Sequence, residues 1–173
     1  MKDIILEYKE LLALKLEIEQ KLSILSKGYI SKKMIGGKQY LYLQTRNGDT
    51  VESKYIKAEE VDYITGQLSL RKEYEAKLPD VLIRLADIET AAELLDKALL
   101  RKLKILKLTS GMDSISAAEK ERRISFSDAM TSIEGVPVSD RVKHDLVNWK
   151  NGDITFLSVF EQTLRRYGFV MEV

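Results

Sequence analysis

Apolar side chains recur in steps of three and four at Ile4, Tyr8, Leu11, Leu14, Ile18, Leu22 and Leu25. That spacing predicts an amphipathic helix over residues 3 to about 25, with a seam of coiled-coil type. Ser26-Lys27-Gly28 closes it, Gly28 serving as the C-terminal cap. The period then changes. "YISKKMI" (29–35), "KQYLYLQTR" (38–46) and "VESKYI" (51–56) are short and rich in β-branched and aromatic residues. Gly36-Gly37 and Asn47-Gly48 separate them, and both pairs tolerate the positive φ of tight hairpin turns. The expectation is a three-stranded antiparallel meander. In its middle strand Leu41 and Leu43 face one side, while Tyr40, Tyr42 and Gln44 face the other. A meander this small needs helices to cover one face.

Helical periodicity resumes at Ala58 and is expected to stop at Leu78, before Pro79. A second helix, from an Asp80 N-cap to about Leu108, carries Leu82, Leu85, Ile88, Leu95, Leu99, Leu103 and Leu106. Lys102, Lys104 and Lys107 suit the negative end of its dipole. This helix and the first are expected to pack as an antiparallel pair. "TSGMDSIS" (109–116) reads as a linker. Three short helices follow, at about 117–133, 140–150 and 156–167, with Ser139 capping the second and Gly168 ending the third. The fold class expected is therefore α+β and mostly helical: long antiparallel helices with a three-stranded antiparallel β-meander, plus a C-terminal three-helix bundle. The division expected is a domain over 1–110 and a small one over 111–173.

Charged residues make up 32% of the 173-residue chain, but they balance at a net +1, so no global field draws it to nucleic acid or membrane. There is no cysteine, which removes disulfides, thiolate metal sites and a cysteine nucleophile and suits a reducing cytoplasm. The opening residues are interrupted by charge too often for a signal peptide, and no apolar run reaches the ~20 residues of a membrane span. A soluble, cytoplasmic protein is expected.

Candidate catalytic chemistry is thin. The sole histidine, His144, adjoins Asp145, but neighbours on a helix point about 100° apart and form no dyad. No phosphate loop, paired-histidine metal spacing or nucleophile elbow occurs. The expectation is a protein that is not an enzyme, with no catalytic residue, metal or cofactor. A nuclease built from carboxylates and a metal ion is the weakest of the readings considered.

The charge is uneven, and that changes the picture. Residues 27–57 hold seven basic side chains (Lys27, Lys32, Lys33, Lys38, Arg46, Lys54, Lys57) against Asp49 and Glu52, while the rest of the chain sums to −4. Tyr29, Tyr40, Tyr42 and Tyr55 are interleaved with them. Cations neutralise phosphates and tyrosines stack or hydrogen-bond, so the meander reads as a surface for nucleic acid or for an acidic, nucleic-acid-mimicking protein. Tyr29, Lys32, Lys33, Lys38, Tyr40, Tyr42, Arg46 and Lys54 are its candidate contact residues. The pattern "GYISKK–IGGKQYLYLQTR–GDTVESKYI" resembles the small three-stranded DNA-binding modules of mobile elements, such as the arm-type modules of phage integrases.

A second resemblance lies between Arg122 and Phe169. There "EG" closes a helix, "VS" supplies a cap, and a tryptophan followed by "NGDIT" leads into a last helix that ends in "RYG". This segment resembles the three-helix VbhA-type antitoxins of Fic toxins. The resemblance implies that Glu134 pairs with an arginine in the toxin's active site, with Gly135 following it; a bidentate carboxylate–guanidinium pair there displaces a phosphate. The Ser or Thr expected four residues before the glutamate is Met130 here, and Thr131 stands one place late. Trp149 is the remaining candidate contact of this segment, although as the lone tryptophan of a small bundle it reads better as that bundle's core.

Two functional expectations follow. One is a non-enzymatic protein inhibitor of a bacterial or mobile-element genome, antitoxin-like toward a Fic-type AMP-transferase or acting as an anti-CRISPR protein on an RNA-guided nuclease. The other is a DNA-binding accessory protein or autorepressor that reads DNA or RNA with the meander. The seam of the first helix also permits a homodimer. Target, nucleic-acid sequence preference and oligomeric state carry no signature in the sequence.

Overall fold

The computed structural model describes residues 2–169. In chain order the elements are α1 (Lys2–Ile24), β1 (Tyr29–Ile35), β2 (Lys38–Asn47), β3 (Thr50–Ile56), α2 (Val61–Leu95), α3 (Lys97–Thr109), α4 (Ala117–Ile133), α5 (Asp140–Asn151) and α6 (Phe156–Arg166). Short 3-10 turns lie at Ala58–Glu60 and Met112–Ser114. The fold is α+β and mostly helical, with one antiparallel sheet in the order β1–β2–β3. Among the described residues no helix is long and apolar enough to cross a membrane.

The chain forms two compact units: Leu14–Ala86, and the residues up to Ala13 together with Asp87 onward. These are drawn differently from the expected 1–110 and 111–173, and residues 170–173 of the latter lie outside the described residues. In the first unit Arg71 Nη1 donates to the carbonyls of Leu22 and Leu25 at 2.8 and 3.0 Å. Those are orphan carbonyls at the end of α1, so an arginine of α2 does the capping expected of Gly28. Gly28 has another task. With φ +106°, a Cβ there would fall 2.0 Å from the Gln44 carbonyl oxygen of β2. Only a glycine lets the chain pass that close to the sheet.

In the second unit Tyr8 of α1 is fully buried and donates to Glu89 of α2 at 2.7 Å, and Lys107 of α3 donates to the same oxygen at 2.7 Å. Helix α1 thus meets α2 through Tyr8 and Glu89 in this unit and through Leu22 and Arg71 in the other, and the second of these contacts falls outside the 80–108 helix expected as its partner. On α1 the buried positions are Tyr8, Leu12 and Ile18, with Leu25 buried just beyond its end; Ile4 and Leu14 of the expected seam are exposed, and Leu12 is buried in place of Leu14.

The expected stop at Pro79 does not occur, because α2 runs through it. Buried or half-buried positions at Leu68, Arg71, Tyr74, Leu78, Val81, Leu85, Ile88 and Ala92 keep helical phase across the proline. Pro79 itself is exposed, so the Glu75 carbonyl that lacks its N–H partner faces water. Asp80 is thus interior to a helix. The break falls at Asp96, whose Oδ1 accepts from the N–H groups of Ala98 and Leu99 at 2.8 and 3.2 Å. It caps α3, and Leu95 just before it is left 85% exposed, whereas Leu99, Leu103 and Leu106 are buried. Helices α4 to α6 close around Trp149, which is 1% exposed. Its indole N–H donates to Asp113 Oδ1 at 2.8 Å, and the same oxygen accepts from the Phe156 N–H at 2.8 Å.

Candidate nucleic-acid interface

The sheet owes its register to two turns of two residues. Ile35 pairs with Lys38 around Gly36-Gly37, both at positive φ (57° and 77°), and Asn47 pairs with Thr50 around Gly48-Asp49, with Gly48 at φ 60°. Paired residues point to the same side, and neighbours along a strand alternate. The pairs Lys33↔Tyr40, Ser31↔Tyr42, Tyr42↔Tyr55 and Arg46↔Val51 therefore define one face.

On that face stand Tyr29, Tyr40, Tyr42 and Tyr55 with Lys33, Lys38 and Arg46, and no carboxylate of the three strands shares it. The Tyr55 ring packs against Tyr40 and Tyr42 at centroid distances of 6.0 and 5.8 Å, the second edge to face. Lys33 Nζ lies 4.7 Å from the centre of the Tyr42 ring. Arg46 Nε donates to the Gly48 carbonyl at 3.1 Å, which holds its guanidinium beside the second turn. Tyr29 is 61% exposed and Tyr55 49%, while Tyr40 and Tyr42 are half-buried by their neighbours. From Tyr40 to Arg46 the face runs about 20 Å, and the outer strands lie about 10 Å apart. A B-form major groove is about 12 Å wide.

The opposite face is different. Ile30, Leu41 and Leu43 are half-buried there and Ile56 is buried, so this is the more apolar side of the sheet. Two of the expected contact residues belong to it: Lys32 pairs with Leu41, and Lys54 with Leu43. They do not join Lys33, Lys38 and Arg46. Tyr55 joins them instead, and the alternation of β3 from the Gly48 turn was the signal that places it.

The candidates in the C-terminal segment are not brought together. Glu134 is the C-cap of α4 (φ −76°, ψ −2°) and is exposed, and Gly135 follows at φ +74° with open space around it. Trp149 is the core of the bundle, and its surface is not available to a partner. Thr131 Oγ1 bonds back to the Ser127 and Asp128 carbonyls, so its hydroxyl is engaged within its own helix. Sequence reasoning did not single out an exposed apolar row on α4: Phe126, Met130 and Ile133, with Val136 beyond. His144 is exposed and lies within 3.3 Å of the Asn148 side-chain nitrogen. Among the described residues no three His, Asp or Glu side chains gather as a metal site.

No curated protein and no solved structure matches this chain. Residues 8–65, a third of the chain that takes in the whole meander, match a family described as a domain of unknown function, DUF6788.

Proposed function

We infer that the protein is a non-enzymatic, cytoplasmic binding protein that holds nucleic acid against the tyrosine-bearing face of its sheet. One observation carries this reading: the strand register gathers four tyrosines and three cations on one face and leaves every carboxylate of the strands off it. Cations at that spacing neutralise phosphates, and the rings between them stack on bases or pack on sugars. The opposite face supplies an internal control, because Lys32 and Lys54 put two positive charges there, against three, without tyrosines. Binding of labelled single-stranded and duplex oligonucleotides, followed by anisotropy, separates the two faces. The triple variant Lys33→Glu, Lys38→Glu, Arg46→Glu is expected to abolish binding, and Lys32→Glu with Lys54→Glu to weaken it only slightly. With three phosphates neutralised, log Kd should change against log salt with a slope of about 2 to 3. Equal losses from both faces would leave only diffuse charge attraction and would sink the reading.

A second reading is favoured by α4. Exposed Glu134, flanked by exposed Ile133 and Val136, offers a carboxylate with apolar shoulders to a protein partner. That arrangement suits an inhibitor that inserts Glu134 beside an arginine of a target enzyme, whether a Fic-type toxin or an RNA-guided nuclease. Capture of such an enzyme that fails with Glu134→Ala would support it; capture unaffected by that change would refute the glutamate's part.

A further inference from the structure

Strand β3 is an open edge. All its residues from Thr50 to Tyr55 are exposed, and only Ile56 is buried. A two-residue turn is closed by a hydrogen-bonded pair, here Asn47 and Thr50, and the ladder then alternates. Residues 50, 52 and 54 therefore spend their backbone groups on β2, while Val51, Ser53 and Tyr55 turn theirs outward. An edge of this kind is a template for another strand unless charge or proline blunts it.

The side chains of this edge are complementary to themselves. Antiparallel pairing of two copies about Ser53 sets Glu52 opposite Lys54 of the second copy, and Lys54 opposite its Glu52. Neither side chain has an ion-pair partner among the described residues within its own chain. On the other face the same pairing sets Val51, 57% exposed, against Tyr55, 49% exposed, twice. Centring instead on Glu52 or Lys54 would set like charges directly opposite, which is unfavourable. The other edge lacks this property: centring β1 on its outward-facing Lys32 brings two lysines together.

We propose that β3 is a homodimer edge, at which two copies of this chain pair antiparallel about Ser53 to make one six-stranded sheet. The arrangement is two-fold and isologous. It is closed by about six backbone hydrogen bonds, two Glu52–Lys54 pairs and two Val51–Tyr55 pairs. Because paired residues share a side, the tyrosine faces of the two copies become continuous, with strand order β1–β2–β3–β3–β2–β1. The pairing does not rest on the nucleic-acid reading. Dimerisation without oligonucleotide binding, or the reverse, would separate the two.

The test is sedimentation velocity on the full chain, with circular dichroism to verify folding. Glu52→Lys and Lys54→Glu each turn two attractive pairs into two repulsive ones, so each should raise the dimer dissociation constant by about tenfold or more. Mixing the two variants should restore the dimer mass, because every facing pair is again opposite in charge, and the double variant Glu52→Lys, Lys54→Glu should dimerise like wild type. The chain has no cysteine, so Ser53→Cys gives a direct second readout. Directly opposed residues of a hydrogen-bonded pair sit about 5.5 Å apart, within disulfide range, and mild oxidation should link this variant faster than Thr50→Cys. A wild type that stays monomeric to about 1 mM, the weak limit of association, would overturn the proposal. So would a dimer indifferent to both charge reversals.

Discussion

Asp113 is the residue through which the three-helix bundle is most open to a decisive perturbation. Its Oδ1 accepts the indole N–H of Trp149 and the backbone N–H of Phe156, each at 2.8 Å, and so ties the last turn of α5 to the first of α6. Trp149 is 1% exposed but Asp113 lies at the surface, so Asp113→Ala replaces the charged acceptor of the indole N–H with water. Exchanging a hydrogen bond to a charged group for one to water costs about 1.5–3 kcal/mol. The Phe156 N–H is near the surface and finds water, and Thr155 still caps α6 through the Ser158 N–H at 3.2 Å. A net loss of about 2 kcal/mol is therefore expected. Asp113→Asn keeps an acceptor oxygen in place and should lose about half as much. The assay is urea unfolding followed by fluorescence, since the only tryptophan of the chain is the group being tested. With a slope of about 1–3 kcal/mol per molar urea, the midpoint for Asp113→Ala should fall by about 1 M. A midpoint unchanged for Asp113→Ala would refute the argument. So would equal losses for Asp113→Ala and Asp113→Asn, since the second retains the acceptor on which the estimate depends.

Glu89 links stability to acid. Burial pushes its carboxyl upward, but the hydrogen bonds from Lys107 and Tyr8 and the charges of Lys107 and Lys104 outweigh this and hold it below its ordinary value of 4.5. Its contribution is complete above the unfolded value and is lost as pH falls through the lower folded one. The stability advantage of wild type over Glu89→Gln should therefore shrink as pH is lowered from 7 toward 3; an advantage that does not change with pH would contradict it. Burial and the Glu89 carboxylate push the Tyr8 hydroxyl the other way, well above its ordinary value of 10.0, so stability should fall again above about pH 10 in wild type but not in Tyr8→Phe. Gly28→Ala places a Cβ against the Gln44 carbonyl in a positive-φ position and should cost at least about 2 kcal/mol. Gly66→Ala, in α2 with open space around it, should instead stabilise by about 0.5–1 kcal/mol. Thermal denaturation decides both.

The strands and the three C-terminal helices were legible to within a residue or two because their signals are local and stereochemical. Two-residue turns that need positive φ admit little besides Gly36-Gly37 and Gly48, and they set register as well as position. Pro79 misled for the opposite reason. A proline's penalty is local, whereas the buried row from Leu68 to Ala92 that overrides it spans several turns. Asp96 was legible as a capping residue type, but the leucines on both sides concealed the break. The binding face was half legible. Tyrosines and lysines mark the meander, yet Lys32 and Lys54 separate from Lys33 only when residues are counted outward from the turns. The core role of Trp149 was legible from its being the lone tryptophan of a small bundle, but its Asp113 partner and the capping of α1 by Arg71 join residues 36 and 46 to 49 apart, beyond what periodicity along one helix conveys.

The unit spanning Leu14–Ala86 is continuous in sequence, whereas the other is assembled from the first residues of the chain and everything after Asp87. That difference bears on the order of events during synthesis. Once residue 86 has left the ribosome the continuous unit holds every residue it needs, and its sheet requires only contacts between neighbouring strands. Tyr8, by contrast, must wait for Glu89, which lies 81 residues downstream. Closing so long a loop in a disordered chain costs more entropy than closing it with the intervening residues already folded. The continuous unit is thus the natural first domain to fold on the emerging chain, and its formation shortens the search by which α1 finds the rest of its partners.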